Sequence, residues 1–331
     1  MLPLLLIIGS FISTLPAVAA IPVKRLASSP ALPVDFADPA LINANKKWYA
    51  FATTNGRQNV QIGQSPDFSS WTVLGKDALP ILPQWARGPV WAPDVIQRDD
   101  GTFVMYFSAA LNQFPDKHCI GVGVSKDIEG PYSVLDIPYI CPDPTASGTN
   151  IKSVISSPGV GGAIDASGFK DRDGTRYVVY KVDGNSVGSG GSCNNGNGQR
   201  ATPIMLVAVQ PDGITPKGPP VQILDRDNRD GPLVEAPNLV RTRNGQYALF
   251  FSSNCYTTPN YDVAWAVASN IAGPYTKTGP MFVTGTQGLS APGGASIASD
   301  GVHMVFHANF NGGRAMYTTT ISGDGQNIRS N

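Results

Sequence analysis

The sequence lacks several features that would point to common classes of protein. No stretch has a sustained helical period with capping residues, so a helical domain is excluded. No Cys-x-x-Cys pair or Cys/His spacing suggests zinc. Acidic and basic residues number 24 each without a Lys/Arg cluster, which argues against a nucleic-acid surface. No linker rich in Ser, Thr or Pro divides the chain, so one domain is expected.

Cysteine is scarce, with four residues: Cys119, Cys141, Cys193 and Cys255. An even number agrees with an oxidising compartment, and three pairings are possible from sequence. We favour Cys119 with Cys141, which share one repeat of the chain, and Cys193 with Cys255, which occupy comparable loops of successive repeats. The alternative is four buried free thiols.

The first twenty residues, MLPLLLIIGSFISTLPAVAA, are typical of a signal peptide. Their apolar run is too short for a spanning helix, and Val18 and Ala20 suit the −3 and −1 cleavage positions. Residues 21–30, which contain Lys24-Arg25, are expected to form a short propeptide or an N-terminal arm. Residues 31–331 then form the domain of a secreted, extracellular protein.

A repeat is the most informative feature that is present. Five times a short acidic or Gly-marked turn leads into a Tyr/Phe/Val-rich strand, beginning near Asp38, Asp94, Asp165, Glu235 and Gly294. The spacing of roughly 56 to 71 residues is about one four-stranded propeller blade. The sequence therefore predicts an all-β fold, a five-bladed β-propeller.

Turn chemistry supports this prediction. Each repeat contains a polar turn such as Asp99-Asp100-Gly101 or Arg243-Asn244-Gly245 between two strand-like runs, as in a tight hairpin. The 36 Gly and 28 Pro residues also suit many short strands and turns. A two-sheet β-sandwich would explain the strands but not motifs that recur in register. The Gly/Asn-rich stretch 184–198 is predicted to be a long exposed loop.

Acidic residues fall where the innermost strands of four blades begin: Asp38, Asp94, Asp165 and Glu235. Propeller geometry turns these positions toward the central axis, where the carboxylates would share one pocket. Crowding and desolvation both oppose ionisation, which is costly for a structural protein. An enzyme that needs one carboxylate ionised and another protonated can use that arrangement.

The offsets within the repeat distinguish these carboxylates. When the repeats are aligned on their prolines, Asp38 and Asp165 are equivalent, and Glu235 stands one position earlier. In a strand that shift re-aims the side chain. Asp94 falls one position after its proline, where a structural turn-former and a pocket residue are equally expected.

With the motifs FADPALI, AIDASGF and LVEAPNL in this order, the sequence resembles glycoside hydrolase family 43. That family comprises five-bladed propellers that cleave arabinose- and xylose-containing polysaccharides. The resemblance implies that Asp38 is the general base, that Glu235 is the general acid, and that Asp165 orients the acid and tunes its pKa. Such an inverting mechanism needs the two carboxyl groups roughly 6.5 to 9.5 Å apart.

Aromatic residues are candidates for stacking on a sugar ring. Trp91 occupies the position equivalent to Glu235, and Phe36, Trp85 and Trp48 are rivals that could equally be core residues. We take Trp91 and Phe36 as substrate-binding candidates, together with Asp94.

The fifth repeat has Gly293 and Gly294 in place of an acidic residue, which would leave room for substrate or water. The resemblance implies that His307 lines the central channel, sometimes near a bound ion, and that Arg314 contacts the sugar. A histidine in an apolar strand is more often a hydrogen-bonded core residue. No cofactor and no catalytic metal are expected, although a structural ion near His307 is allowed.

The expected function is a secreted inverting glycosidase acting on α-L-arabinofuranosyl or β-D-xylosyl linkages of plant polysaccharides. One alternative is a non-catalytic sugar-binding propeller. The other is a retaining propeller hydrolase of the fructan and sucrose type, in which the carboxyl groups lie roughly 5 to 5.5 Å apart. We expect a monomer whose partner is a polysaccharide or oligosaccharide, with no nucleic acid and no membrane.

Overall fold

The computed structural model describes residues 29–196 and 198–331, and their regular structure is almost entirely β-strand. The predictions of a signal peptide and of most of the segment 21–30 fall outside the described residues. Within the described part of the chain, no helix is long and apolar enough to cross a membrane.

The strands form five sheets, and each sheet is a four-stranded antiparallel meander of consecutive strands. The first sheet contains β1 (Ala40–Ala44), β2 (Lys47–Ala52), β3 (Gln61–Ser65) and β4 (Thr72–Leu74), and the second contains β5 (Ala86–Gln97), β6 (Phe103–Leu111), β7 (His118–Ser125) and β8 (Ser133–Val134). The third contains β9 (Ala163–Lys170), β10 (Arg176–Val182), β11 (Ile204–Val209) and β12 (Val221–Leu224). The fourth contains β13 (Val234–Arg241), β14 (Tyr247–Ser253), β15 (Val263–Ala268) and β16 (Thr276–Phe282). The fifth contains β17 (Gly293–Ile297), β18 (His303–Phe310), β19 (Gly313–Ser322) and β20 (Arg329–Ser330).

The first strands of the sheets contact one another in a closed ring, β1 to β5 to β9 to β13 to β17 and back to β1. Each sheet is therefore one blade, and the first strand of each blade lines the central channel. The predicted five-bladed β-propeller is confirmed, and the alternative of a two-sheet sandwich is wrong.

The hydrophobic core lies between the blades. Each junction of neighbouring blades holds a cluster of buried side chains contributed by both, for example Phe51 with Phe107, Tyr106 with Val178, Val179 with Leu249, Phe250 with Phe306, and Ala50 with Val305. Complete burial of such a side chain stabilises the fold by about 1.5–3 kcal/mol, so packing holds each blade against the next.

Every first strand has a residue in the left-handed backbone region, within the strand or, in the first blade, just before it. These residues are Asp38 (φ 52°), Ala92 (39°), Asp165 (59°), Ala236 (51°) and Gly294 (59°). The pairing register with the second strand shifts beside this position in β5, β9, β13 and β17. A left-handed residue turns its side chain away from the regular alternation of a strand. The bend thus aims Asp38 and Asp165 alike, as the alignment on the prolines predicts.

Polar side chains two positions after this bend fasten one first strand to the next. The bonds run from the Gly168 N–H to Asp94 Oδ2 (2.8 Å), from the Ile297 N–H to Asn238 Oδ1 (3.0 Å), and from the Leu41 N–H to Ser296 Oγ (3.0 Å). Asp94 is buried, and this bond gives it a structural position between two blades. Asp94 also lines a small cavity on the channel axis, so its place among the substrate-binding candidates stays a prediction.

The ring closes through residues that precede the first blade. The N–H groups of Ala31 and Leu32 donate to Met316 O in β19, and the Phe36 N–H donates to Arg314 O. Residues from the start of the domain are thereby bonded to the last blade.

Both favoured disulfides are confirmed, Cys119–Cys141 and Cys193–Cys255. The second joins the Gly/Asn-rich loop at 184–198 to the connection between β14 and β15. That loop contains short 3₁₀ turns and is tied to the fourth blade.

Candidate active site

Asp38, Asp165 and Glu235 come together at one end of the channel. Asp38 and Asp165 line a small axial cavity of about 50 Å³ with the backbone of Ala236 and Gly294. The Ala236 N–H donates to Asp165 Oδ2 at 2.9 Å, so the residue next to Glu235 is bonded directly to Asp165. Asp38 and Glu235 are both close enough to Asp165 to act on its charge, although only Asp38 and Asp165 line this cavity.

Asp38 is surrounded by donors. Thr53 Oγ1 donates to Asp38 Oδ2 at 2.6 Å, and Arg314 Nη1 donates to Asp38 Oδ1 at 3.0 Å. Burial opposes ionisation of this carboxyl, but the charge of Arg314 and these hydrogen bonds hold its pKa below the ordinary value. Asp38 is therefore a carboxylate at neutral pH, as a general base must be.

His307 is hydrogen-bonded to the backbone of Asp38. Its fully buried ring accepts the Asp38 backbone N–H on Nδ1 at 3.1 Å. Burial and then the Arg314 charge lower the pKa of His307 to about 3, so the ring is neutral. Because Nδ1 accepts, the ring proton is on Nε2.

Glu235 is held at both oxygens. Tyr261 Oη donates to Oε1 at 2.9 Å, and Lys181 Nζ donates to Oε2 at 3.0 Å. Lys181 Nζ also lies 2.9 Å from Asp183 Oδ1. Lys181, Asp183 and Tyr261 were not predicted from the sequence as site residues. The available signal was a lysine within the apolar strand RYVVYKV, where a buried charge requires partners.

Asp165 differs from Asp38 electrostatically. Burial, followed by the charge of Glu235, raises the pKa of Asp165 to about 8. From the sequence we expected Asp165 to be ionised and Glu235 to carry the proton. The raised pKa of Asp165 instead favours its protonated form at neutral pH, because burial and the neighbouring Glu235 charge both oppose its ionisation.

A side chain on either glycine of the fifth blade would meet an aromatic ring. A Cβ on Gly293 would lie 1.9 Å from the Tyr261 ring, and a Cβ on Gly294 would lie 2.8 Å from the His307 ring. These two rings stack with centroids 5.8 Å apart. Gly294 nevertheless lines the axial cavity, so room for substrate or water beside it stays a prediction.

Among the aromatic candidates, Trp91 is partly exposed and stacks on His118, with ring centroids 3.6 Å apart. Phe36 is fully buried and packs in the core with Leu32 and Trp71, so the structure does not bring it to the pocket. Of the two rivals, Trp85 packs beside the cluster that contains the Cys119–Cys141 disulfide, and Trp48 packs against Phe68 and His303.

Arg314 connects the carboxylates to the surface. Its guanidinium lies 5.1 Å from the centroid of the Tyr256 ring, and Tyr256 is 46% exposed. Tyr256 directly follows Cys255, whose disulfide reaches the loop 184–198. An exposed aromatic ring and a disulfide-held loop therefore lie on the same side of Asp38.

The two ring nitrogens of His307 have different surroundings. Nδ1 accepts the Asp38 backbone N–H, and the buried Nε2 has no hydrogen-bond partner among the described residues. No group of three or more His, Cys, Asp or Glu side chains among residues 29–196 and 198–331 could hold a metal. An ion near His307 stays a prediction, and no catalytic step is assigned to it.

A larger cavity, of about 500 Å³, opens at the other end of the channel. Its walls are the far ends of the first strands and the hairpin turns that contain Asp99 and Asp300. None of the three carboxylates lines it. The chemistry is therefore at the narrower end, where the buried charges are.

The motif that carries each carboxylate, its left-handed bend and the surrounding propeller all agree with one family. The sequence matches the model of the glycosyl hydrolases family 43 over residues 27–322. The chain belongs to glycosyl hydrolase family 43. Family 43 membership thus covers all five blades.

Two curated relatives match part of this chain. An extracellular endo-α-(1→5)-L-arabinanase of Thermotoga petrophila is 32% identical over 164 residues, which cover 43% of this chain and 33% of that protein. A second such arabinanase, of Bacillus subtilis, is 28% identical over 43% of this chain and 32% of that protein. The chain thus matches about a third of the length of these curated relatives.

Solved structures share the fold over nearly the whole chain. A thermostable family-43 glycoside hydrolase superposes with a TM-score of 0.72 at 24% identity, covering 89% of this chain and 92% of that one. An exo-1,5-α-L-arabinanase from a bovine ruminal metagenomic library superposes with a TM-score of 0.64 at 24% identity, covering 91% and 98%.

Proposed function

We propose that this protein is an extracellular inverting glycosidase that removes or cleaves α-L-arabinofuranosyl or β-D-xylosyl units in plant cell-wall polysaccharides. One observation carries the proposal. An ionised carboxylate, Asp38, and a carboxyl with a raised pKa, Asp165, line the same narrow pocket, and Glu235 lies beside Asp165. A sugar-binding propeller would have no use for carboxylates held in opposite protonation states.

In the proposed reaction, Asp38 accepts a proton from a water molecule as the water oxygen attacks the anomeric carbon. Glu235 donates its proton to the glycosidic oxygen as the bond between the anomeric carbon and that oxygen breaks. The products are a sugar of inverted configuration and a free hydroxyl on the leaving saccharide. Asp165, bonded to the residue beside Glu235, positions the acid, and a proton shared between these two carboxyls supplies the one that Glu235 donates.

Arabinan is the substrate that the relatives favour, since both curated relatives are named as endo-acting arabinanases. The structural relatives include an exo-arabinanase, so the position of cleavage depends on the pocket mouth. We propose that the disulfide-held loop 184–198 lies at one side of that mouth and thereby favours release of single terminal sugars. The disulfides agree with a secreted protein, and we propose that it acts as a monomer.

The test is hydrolysis of 4-nitrophenyl α-L-arabinofuranoside and β-D-xyloside, linear arabinan and arabinoxylan, with product sizes recorded. Proton NMR of the first product formed would show its anomeric configuration. We expect hydrolysis with inversion. Retained configuration would favour the fructan-type mechanism, and sugar binding without hydrolysis of any substrate would favour the non-catalytic alternative.

A further inference from the structure

Lys181 is a fully buried cation that the proposed reaction does not yet use. It lies in β10, the second strand of the third blade, between the buried residues Tyr180 and Val182. Its ammonium contacts two carboxylates, Glu235 at 3.0 Å and Asp183 at 2.9 Å. Burial of a lysine is costly unless its charge is paired, so these contacts account for its presence in an apolar strand.

The charged groups around Lys181 come from four elements. Glu235 is on β13, Asp165 is on β9, and Asp183 directly follows β10. The Tyr261 hydroxyl, from the segment before β15, lies on the other oxygen of Glu235. Burial opposes the charge on Lys181, but Asp183, Glu235 and Asp165 raise its pKa, so the ammonium persists at neutral pH.

Three carboxylates thus surround one ammonium, while the Asp38 carboxylate is paired separately with Arg314. With every group ionised, Asp165, Asp183, Glu235 and Lys181 together carry two excess negative charges. One shared proton leaves one excess charge. Lys181 therefore decides how tightly that proton is held.

We propose that Lys181, held in place by Asp183, is a positioning residue for the general acid: it fixes the Glu235 carboxyl and stabilises the carboxylate left after proton donation. This inference rests on the proposed function. The ammonium has donors only, so Glu235 Oε2 accepts from it in both protonation states. The transferable proton is thereby placed on Oε1, the oxygen that contacts Tyr261.

Two consequences follow for catalysis. The developing negative charge on Glu235 meets an ammonium that is already oriented, so no reorganisation is needed during the reaction. The ammonium also makes the shared proton easier to lose, which sets the upper pH limit of activity. Removing the Lys181 charge should move that limit upward, and removing the Asp183 charge should move it downward.

The experiment compares Lys181→Met and Asp183→Asn with the wild type. The pH profile of kcat/KM is measured on an arabino-oligosaccharide, whose leaving group needs protonation, and on a 2,4-dinitrophenyl arabinofuranoside, whose leaving group does not. Lys170→Met is the matched control, because Lys170 is an exposed lysine of the same blade paired with Asp99. Thermal unfolding confirms that each variant is folded.

We expect Lys181→Met to lower kcat on the oligosaccharide by at least about tenfold, which corresponds to a shift of one unit in the pKa of the general acid. The loss of kcat on the activated substrate should be much smaller. The alkaline limb should rise in Lys181→Met and fall in Asp183→Asn. Equal losses on both substrates, or alkaline limbs that do not move, would overturn the inference. If Lys181→Met does not fold, the position of the alkaline limb in Asp183→Asn still tests the inference. A wild type that hydrolyses neither substrate would refute the proposed function instead.

Discussion

Asp38 and Asp165 share a backbone conformation but have opposite electrostatic surroundings. Both residues have a positive φ, 52° and 59°, at the bend of a first strand. Asp38 faces the guanidinium of Arg314 and the hydroxyl of Thr53, whereas Asp165 faces Glu235 and has one backbone donor. The pKa of Asp38 is lowered and that of Asp165 is raised because their neighbours differ, although the two residues have the same place in the repeat.

Replacing either proposed catalytic group should abolish most activity. Asp38→Asn and Glu235→Gln should each lower kcat by about 10²- to 10⁴-fold, because that is what a general base or acid typically contributes. The measurement is turnover of an arabino-oligosaccharide. Asp173→Asn, at an exposed hairpin turn, is the matched control and should leave kcat unchanged. A variant that keeps more than about a tenth of wild-type activity would show that the assigned role is wrong.

The activity profile should be bell-shaped. Its acid limb follows Asp38, whose lowered pKa keeps the base ionised until the pH falls below the ordinary range of Asp. Its alkaline limb follows loss of the proton shared by Asp165 and Glu235, near the raised pKa of about 8 at Asp165.

Asp165→Asn should move the alkaline limb to lower pH and reduce kcat. The substitution removes one carboxyl of the pair, so a second negative charge no longer opposes loss of the proton from Glu235, and Glu235 is less well oriented. The pH dependence of kcat/KM checks this, and the acid limb should not move. An alkaline limb that stays in place or rises would assign Asp165 to substrate binding or to structure.

At the scale of the element, the first strands do two jobs at neighbouring positions. The left-handed bend places the side chains of Asp38 and Asp165 at the pocket, and in three blades the residue two positions after the bend fastens the strand to the next blade. Asp94 and Asn238 occupy that fastening position and accept equivalent backbone bonds, yet only Asp94 can ionise. Burial raises the pKa of Asp94 to about 6.

Asp94→Asn should stabilise the protein at neutral pH. A raised folded-state pKa means that the stability Asp94 contributes is fully present below its unfolded value, near 4, and is lost as pH rises through about 6. Asparagine accepts the same bond without the desolvated charge. The gain should be roughly 3 kcal/mol at pH 7 and near zero at pH 4, measured by denaturant unfolding. Asn238→Asp is the reciprocal control and should lose stability at pH 7. A gain of equal size at both pH values would contradict this account.

At the scale of the whole molecule, closure of the ring depends on residues before the first blade. Leu32 is buried and packs with Val305 and Met316 of the last blade, while its backbone is bonded to β19. Two residues later, Val34 is 48% exposed. One short segment therefore offers a buried and an exposed position for comparison.

Leu32→Ala should cost about 2–5 kcal/mol of unfolding free energy, because it leaves a cavity where the first and last blades meet. Val34→Ala, the control, should stay within about 0.5 kcal/mol. Denaturant unfolding of both variants gives the comparison. Equal, small effects would show that closure does not depend on this contact.

The sequence by itself determined the architecture, both disulfides and the equivalence of Asp38 with Asp165. These follow from a repeat of turns and strands, and a repeat is visible because each blade makes the same local bonds. Only the tertiary structure decided that Phe36 is core, that two rings lie beside Gly293 and Gly294, and that Lys181 and Tyr261 hold Glu235. Each of these depends on which strands of neighbouring blades meet, and residues as far apart as Asp38 and His307 show no local pattern. The raised pKa of Asp165 also depends on the tertiary structure, because its burial and the neighbouring charge of Glu235 exist only once the blades have closed.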